Sequence, residues 1–171
     1  MHSKLPDVKA EDFFDFMVNA PQNIYADWLP EEHHEFHLIR EGKNAPTGNF
    51  FYFDQNIGRK HRMKFYATLI VAERPTKVVF QMRKFGITLP GFLDLTFEDN
   101  ADSLVLTEQI RIGYRGIGAL IDPFVRIVYS KGFFMEMDEH HKREWQSLAK
   151  CLNGDCQRSP LLYACRNQLD T

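Results

Sequence analysis

Residues 62–71 have the sequence RMKFYATLIV, in which every second residue from Met63 to Val71 is apolar. A period of two predicts a β-strand with one drier and one wetter face. On either side of this stretch lie further segments with the same period, from residue 34 to Tyr114, separated by Gly, Asn, Asp or Pro. Six such segments in succession predict an antiparallel meander.

Helical periods flank the meander on both sides. Residues Glu11–Val18 have apolar residues at helical spacing and acids in the first turn, and residues 23–29 predict a second short helix. After the strands, Asp122 is placed to cap a long helix, which Asn153-Gly154 should end. The fold class is therefore predicted as α+β, with the long C-terminal helix covering the dry face of the sheet.

The length of 171 residues suits one domain, which we place at residues 1–153, followed by a tail at residues 154–171. Aromatic residues make up 13% of the chain, an excess that either fills a core or lines a cavity between sheet and helix. We predict a cavity with six aromatic lining residues: Phe51, Phe53, Phe65, Phe80, Phe97 and Trp145.

Charge and cysteine content limit the binding partners and the cellular location that we expect for the protein. The 21 basic and 23 acidic residues give a net charge of -2, which offers no electrostatic case for nucleic acid or an anionic membrane. The longest apolar stretch, residues 66–72, is too short to span a bilayer. The three cysteines, Cys151, Cys156 and Cys165, do not have the spacing of a disulfide framework, so we expect a reducing, cytoplasmic location.

Polar residues interrupt the apolar faces of three predicted strands. Alternation points Glu108, Gln55 and His34 toward the interior. A buried carboxylate is costly without a partner, so Glu108 is a candidate catalytic residue that transfers a proton. Alternatively it is neutralised by one of three basic residues: Arg111, Arg126 or Arg143.

Histidines cluster near the first predicted strand and on the long helix. On the helix, His140 and Glu144 are four residues apart, so both lie on one side at a separation that a metal ion can bridge. With His33 or His34 from the first strand, they would leave a position open for water, as a catalytic zinc requires. Alternatively, the histidines face solvent and Glu144 lies at the helix boundary.

The order of elements, together with Phe13-Phe14-Asp15-Phe16 and the helix after Ile121-Asp122-Pro123, resembles the START or birch-pollen-allergen-like (SRPBCC) superfamily. The resemblance implies the helix-grip fold, in which a curved antiparallel sheet of six to seven strands wraps around a long C-terminal helix and two short N-terminal helices precede it. It also implies that a hydrophobic or aromatic molecule binds between the sheet and the helix. The superfamily fixes a cavity and leaves the reaction open.

Three segments resemble a narrower branch, the zinc-dependent diacetylphloroglucinol hydrolases: residues 28–34, 53–58 and 140–144. That resemblance implies cleavage of a carbon–carbon bond between an acyl group and a phenolic ring, with zinc held by two histidines and two glutamates. His140 and Glu144 match the helical pair. His33 is favoured for the first histidine by its spacing after Pro30, and His34 by alternation. Gln55 stands where the fourth ligand, an acid, is expected, and an amide is the weaker ligand.

Three functions follow as hypotheses. The first is a zinc-dependent hydrolase or a cyclase that acts in the cavity. The second is a carrier of a lipid or hydrophobic metabolite that has no metal and no catalytic activity. The third is a protein-binding scaffold, which rests on Leu161, Leu162, Tyr163 and Ala164 of the tail. The sequence leaves the oligomeric state open.

Overall fold

A computed structural model describes residues 1–19, 25, 28–57, 61–113 and 131–153. In these residues there are two long helices, α1 at Ala10–Asn19 and α2 at Lys131–Leu152. There are also seven strands: β1 at His2–Pro6, β2 at His33–Arg40, β3 at Phe50–Ile57, β4 at His61–Glu73, β5 at Lys77–Lys84, β6 at Ile87–Asn100 and β7 at Ser103–Ile112.

The strands form one antiparallel sheet in the order β1-β7-β6-β5-β4-β3-β2. This order confirms the predicted meander from β2 to β7. β1 was not predicted from the sequence; it pairs with β7 from His2 opposite Thr107 to Pro6 opposite Ser103. Only Leu5 of this short strand is fully buried, so its apolar pattern is too brief to reveal a period of two.

The two helices bury apolar faces against the inner side of the sheet. Phe13 of α1 packs against Phe97 of β6 and Trp145 of α2, with ring centroids 5.0 Å and 5.6 Å away. Leu148 of α2 is fully buried in the same core. The predicted end of α2 at Leu152 is confirmed.

Several predictions fall on parts of the chain that the structure leaves undescribed. The predicted start of α2 at Asp122 and the tail at residues 154–171 lie outside the described residues. So does most of the predicted second helix, of which Tyr25, Trp28 and Leu29 alone are described.

A bulge in β2 determines which histidine faces inward. His33 pairs with Gln55, but the register shifts before Glu35, which pairs with Asp54. Because the shift inserts a residue, His33 and Phe36 share the inner face although they are three positions apart. His33 is 1% exposed, whereas His34 is only half-buried. Regular alternation, which favoured His34, does not hold at this bulge.

Two further observations bear on the chain as a whole. Cys151 is disulfide-bonded, an observation against the reducing environment that the spacing of the cysteines led us to expect. Neither of the described helices combines the length and the apolar character that crossing a bilayer would require.

Candidate functional site

Three buried side chains from the two ends of the fold meet under the sheet. His33 comes from the start of β2, and His140 and Glu144 lie one turn apart on α2. His33 Nε2 lies 3.4 Å from Glu144 Oε1, and His140 Nε2 lies 3.7 Å from Glu144 Oε2. One ligand atom from each residue lies within 4.8 Å of the others, so the three form a compact donor set.

Three of the four imidazole nitrogens of this triad lack a hydrogen bond of good geometry among the described residues. Neither nitrogen of His33, nor His140 Nε2, has a hydrogen-bond partner of good geometry among the described residues, although these atoms are inaccessible to solvent. A buried polar atom without a partner is costly, and each such atom calls for an explanation. Two imidazoles and one carboxylate suit zinc, so the donor set fits the metal that the sequence predicted.

Burial also sets the protonation states of the triad. It raises the pKa of Glu144 from 4.5 to about 8, with the neighbouring carboxylates Glu108 and Glu32 acting in the same direction. Burial lowers the pKa of both His33 and His140. The imidazoles are therefore neutral near pH 7, the form that can ligate a metal.

Glu108 projects inward from β7 and meets two residues of α2. Its Oε2 accepts a hydrogen bond of 3.0 Å from Trp145 Nε1, and its Oε1 lies 2.8 Å from His141 Nδ1. Burial acts to lower the pKa of His141, but the charge and hydrogen bond of Glu108, together with the charges of Glu144 and Asp138, outweigh it and the pKa is raised. His141 is thus the basic partner of this carboxylate.

None of the three basic residues proposed to neutralise Glu108 is seen to do so. Arg111 pairs with Asp94 on the outer face, at 2.8 Å, and Arg143 pairs with Glu32, at 2.7 Å. Arg126 lies outside the described residues.

Gln55 lies beside His33 but is held by another residue. The two pair across β2 and β3, and the hydroxyl of Tyr25 donates a hydrogen bond to Gln55 Oε1. Asp54, the adjacent acid, faces the other side, where it bonds Arg62 and Lys64. In the structure the carbonyl of Gln55 is thus a partner of Tyr25.

A cavity of about 60 Å³ lies between the sheet and α2, next to the triad. Its polar wall consists of five residues: Tyr25, Gln55, Glu108, His141 and Glu144. Aromatic rings, methionines and aliphatic side chains make up the rest of the wall. Glu144 therefore lies at the boundary between the donor set and an apolar chamber.

The six aromatic residues predicted to line the cavity divide into two groups. Phe53, Phe65, Phe80 and Trp145 are on its wall. Phe51 and Phe97 are buried in the core, where Phe51 contacts Phe80 and Phe97 contacts Phe13. The structure adds Trp28, Phe36 and four methionines to the wall, and the sequence did not distinguish these residues from core residues.

Three further residues lie near the triad: Glu32, Tyr25 and His141. Glu32 and Tyr25 both precede β2, the first strand of the meander, so neither belongs to the period-of-two pattern of the sheet. His141 had a visible signal, because it falls on the apolar stripe of α2 next to His140.

Comparison with known proteins agrees with this architecture. The sequence matches no protein-family model, and no curated protein matches it either. Among solved structures, it is similar to the di-domain ARO/CYC protein BexL from the BE-7585A biosynthetic pathway, with a TM-score of 0.57 and 14% identity over 94% of this chain and 50% of that one.

Two further solved structures have the same fold. Protein Ms6760 from Mycobacterium smegmatis has a TM-score of 0.57 and 11% identity, over 90% of this chain and 88% of that one. Major latex-like protein 151 from Panax ginseng has a TM-score of 0.50 and 10% identity, over 82% of this chain and 95% of that one.

These likenesses confirm the predicted fold: the chain has the fold of the START or birch-pollen-allergen-like (SRPBCC) superfamily. At such identities they do not assign a ligand or a reaction, which must be argued from the side chains of the site.

Proposed function

We propose that the chain is a zinc-dependent hydrolase that cleaves the carbon–carbon bond between an acyl group and a phenolic ring. The observation that carries the proposal is the buried triad of His33, His140 and Glu144, of which Glu144 is part of the polar wall of an apolar cavity. Bound by these three residues, zinc supplies Lewis-acid activation of a ring-conjugated carbonyl or of water.

The chain's own residues supply positioning and proton transfer. The aromatic wall, including Phe53 and Phe65, binds the ring of the substrate and excludes water. Glu108 holds His141 at Nδ1, which leaves Nε2 as the atom that passes a proton to the ring carbon as the acyl group departs. Glu108 therefore acts through His141 in this proposal.

The size of the cavity supports a small ligand. A space of about 60 Å³ holds roughly four to six water-sized spheres, which suits one substituted ring better than a long acyl chain. The fold shared with an ARO/CYC protein of a biosynthetic pathway also favours an aromatic ligand over a lipid.

The test combines metal content with turnover, using protein purified without a histidine tag. We expect one zinc ion per wild-type chain and release of acetate from 2,4-diacetylphloroglucinol. His140→Ala and Glu144→Gln should lose both. His34→Ala is the matched control, because His34 neighbours His33 but lies outside the triad, and it should keep both. Wild-type protein that contains no zinc and takes up none on dialysis would exclude a metal-dependent reaction.

The second candidate function is a metal-free carrier of a small aromatic metabolite. The mostly apolar wall of the cavity favours it, since such a wall binds an apolar ring without chemistry. Native mass spectrometry with added acetophenone separates the two candidates. A carrier binds the ketone equally well in wild type and in Glu144→Gln and leaves acylated phenols intact.

A further inference from the structure

A buried carboxylate lies behind the triad, on the far side of the His140 ring. Glu32 directly precedes β2 and is 6% exposed. Its backbone is fixed on both sides, because its N–H donates to the carbonyl of Leu29 at 3.0 Å and its carbonyl accepts from the N–H of Asn56 at 2.7 Å. The Glu32 side chain therefore projects from an anchored segment of the chain.

Glu32 and His140 are joined by a hydrogen bond that determines where the imidazole carries its proton. Glu32 Oε2 accepts from His140 Nδ1. A carboxylate can only accept, so Nδ1 must carry the hydrogen and Nε2 keeps the lone pair. It is Nε2 that lies 3.7 Å from Glu144 and lacks a hydrogen-bond partner among the described residues.

The other oxygen of Glu32 is held by a cation. Arg143 Nη2 lies 2.7 Å from Glu32 Oε1, and its guanidinium is about half exposed. Arg143 and His140 are three residues apart on α2, so both project from the same side of the helix toward Glu32. The arginine therefore holds the second oxygen of Glu32 and helps to orient its carboxylate toward His140.

We propose that Glu32 is a positioning residue for metal binding, which fixes the tautomer and ring orientation of His140 and is itself held by Arg143. This inference rests on the proposed function, because it presumes a metal at His33, His140 and Glu144. Outer carboxylates of this kind orient ligating histidines, and their loss typically weakens metal affinity by about 10–100-fold.

The first experiment measures zinc affinity of the full chain by competition with a chromophoric chelator. We expect Glu32→Ala to weaken zinc binding by about 10–100-fold. Glu32→Gln should weaken it less, because the amide oxygen still accepts from Nδ1 but lacks the charge. Glu31→Gln is the matched control, since Glu31 is the exposed neighbour and should bind like wild type.

The second experiment reads the tautomer directly in metal-free protein, by ¹⁵N NMR of the imidazole rings. In wild type and in Glu32→Gln, His140 should carry its proton on Nδ1. In Glu32→Ala, the Nε2-protonated form should increase. A role for Glu32 confined to folding stability would leave this spectrum unchanged.

The outcomes separate the two proposals. Wild-type protein without zinc affinity contradicts the proposed function. Wild-type protein that binds zinc, with Glu32→Ala binding as tightly or showing the same tautomer, overturns the role of Glu32 alone. If Glu32→Ala does not fold, zinc affinity is measured in Glu32→Gln and Arg143→Gln instead. Unchanged zinc affinity in both variants would also overturn the role of Glu32.

Discussion

The ring of Tyr25 lies parallel to the imidazole of His33, with 4.1 Å between ring centroids and 2° between the ring planes. Trp28 meets the same imidazole edge-on at 4.6 Å. Although neither nitrogen of His33 makes a hydrogen bond of good geometry in the described part of the chain, a backbone group of Tyr25 also interacts with the imidazole, so Tyr25 and Trp28 together orient the ring. The Tyr25 hydroxyl, in turn, is bound to Gln55.

Tyr25→Phe keeps the stacked ring and removes the hydroxyl from Gln55. The buried amide oxygen loses its partner, so we expect the free energy of unfolding to fall by about 1–3 kcal/mol. Zinc affinity should change by less than roughly threefold, because the ring still orients His33. Urea unfolding and chelator competition measure the two quantities. Tyr25→Leu, which removes the stacking as well, should also weaken zinc binding.

Gln55→Glu places a carboxylate beside His33, at the position where a fourth ligand is expected. Because a carboxylate is a stronger ligand than an amide, zinc affinity at pH 8 should rise by about tenfold or more. Gln55→Leu is the control and should show no gain. Equal affinities in the two variants would place residue 55 beyond reach of the metal.

Zinc binding should release a proton from Glu144. Its pKa is about 8, so at pH 7 this carboxyl is mostly protonated and must ionise to ligate a metal. His33 and His140 contribute no proton at that pH, because burial lowers their pKa values. Calorimetry in buffers of different ionisation enthalpy should give more than one proton released per zinc at pH 7, close to one from Glu144 and the remainder from a zinc-bound water with a pKa of about 7.

The contribution of Glu144 to the stability of metal-free protein should fall as the pH rises, whereas the lowered pKa values of His33 and His140 act in the opposite direction below pH 6.5. Glu144 has a pKa of about 8 when folded and 4.5 when unfolded, so between these values the folded chain binds the extra proton. Its contribution is complete below pH 4.5, falls as the pH rises and is gone above pH 8. The loss should be on the order of a few kcal/mol in urea unfolding. Glu144→Gln has no titrating group at this position. If its free energy of unfolding depended on pH as strongly as that of wild type, the raised pKa of Glu144 would be contradicted.

A side chain that fills the cavity should weaken ligand binding and leave the zinc content unchanged. Ala67 of β4 is 1% exposed and lies on the cavity wall, so Ala67→Leu extends into the space of about 60 Å³. We expect affinity for acetophenone to fall at least about tenfold, with zinc content unchanged. Ala72→Leu, on the same strand but away from the wall, should bind the ketone like wild type. Native mass spectrometry reports both ligands.

Much of the fold was predictable because its signals are local. The period of two from β2 to β7 and the end of α2 at Leu152 follow from short stretches of sequence. The inward direction of Glu108 follows from the same alternation, and the side chain is 3% exposed. The pairing of β1 with β7 depends instead on a partner that is distant in the chain.

The site was less predictable, because it depends on irregularities and on contacts between distant segments. A bulge between His33 and Glu35 turns His33, rather than His34, toward the interior. The period-of-two pattern in the sequence cannot locate such a bulge. The hydrogen bond between Glu32 and His140 joins the residue before β2 to α2, and these segments are far apart in the sequence. The partners of Glu108, a histidine and a tryptophan, likewise emerge only when α2 packs on β7.

The placement of the triad at the two ends of the domain has a consequence for biosynthesis. His33 emerges from the ribosome early, whereas His140 and Glu144 belong to the last described helix. A nascent or truncated chain that lacks this helix therefore carries one donor of three. If the chain binds zinc as proposed, the ion can be held by all three donors only after α2 has been translated, so a loaded ion would mark a chain in which α2 has packed against the start of β2.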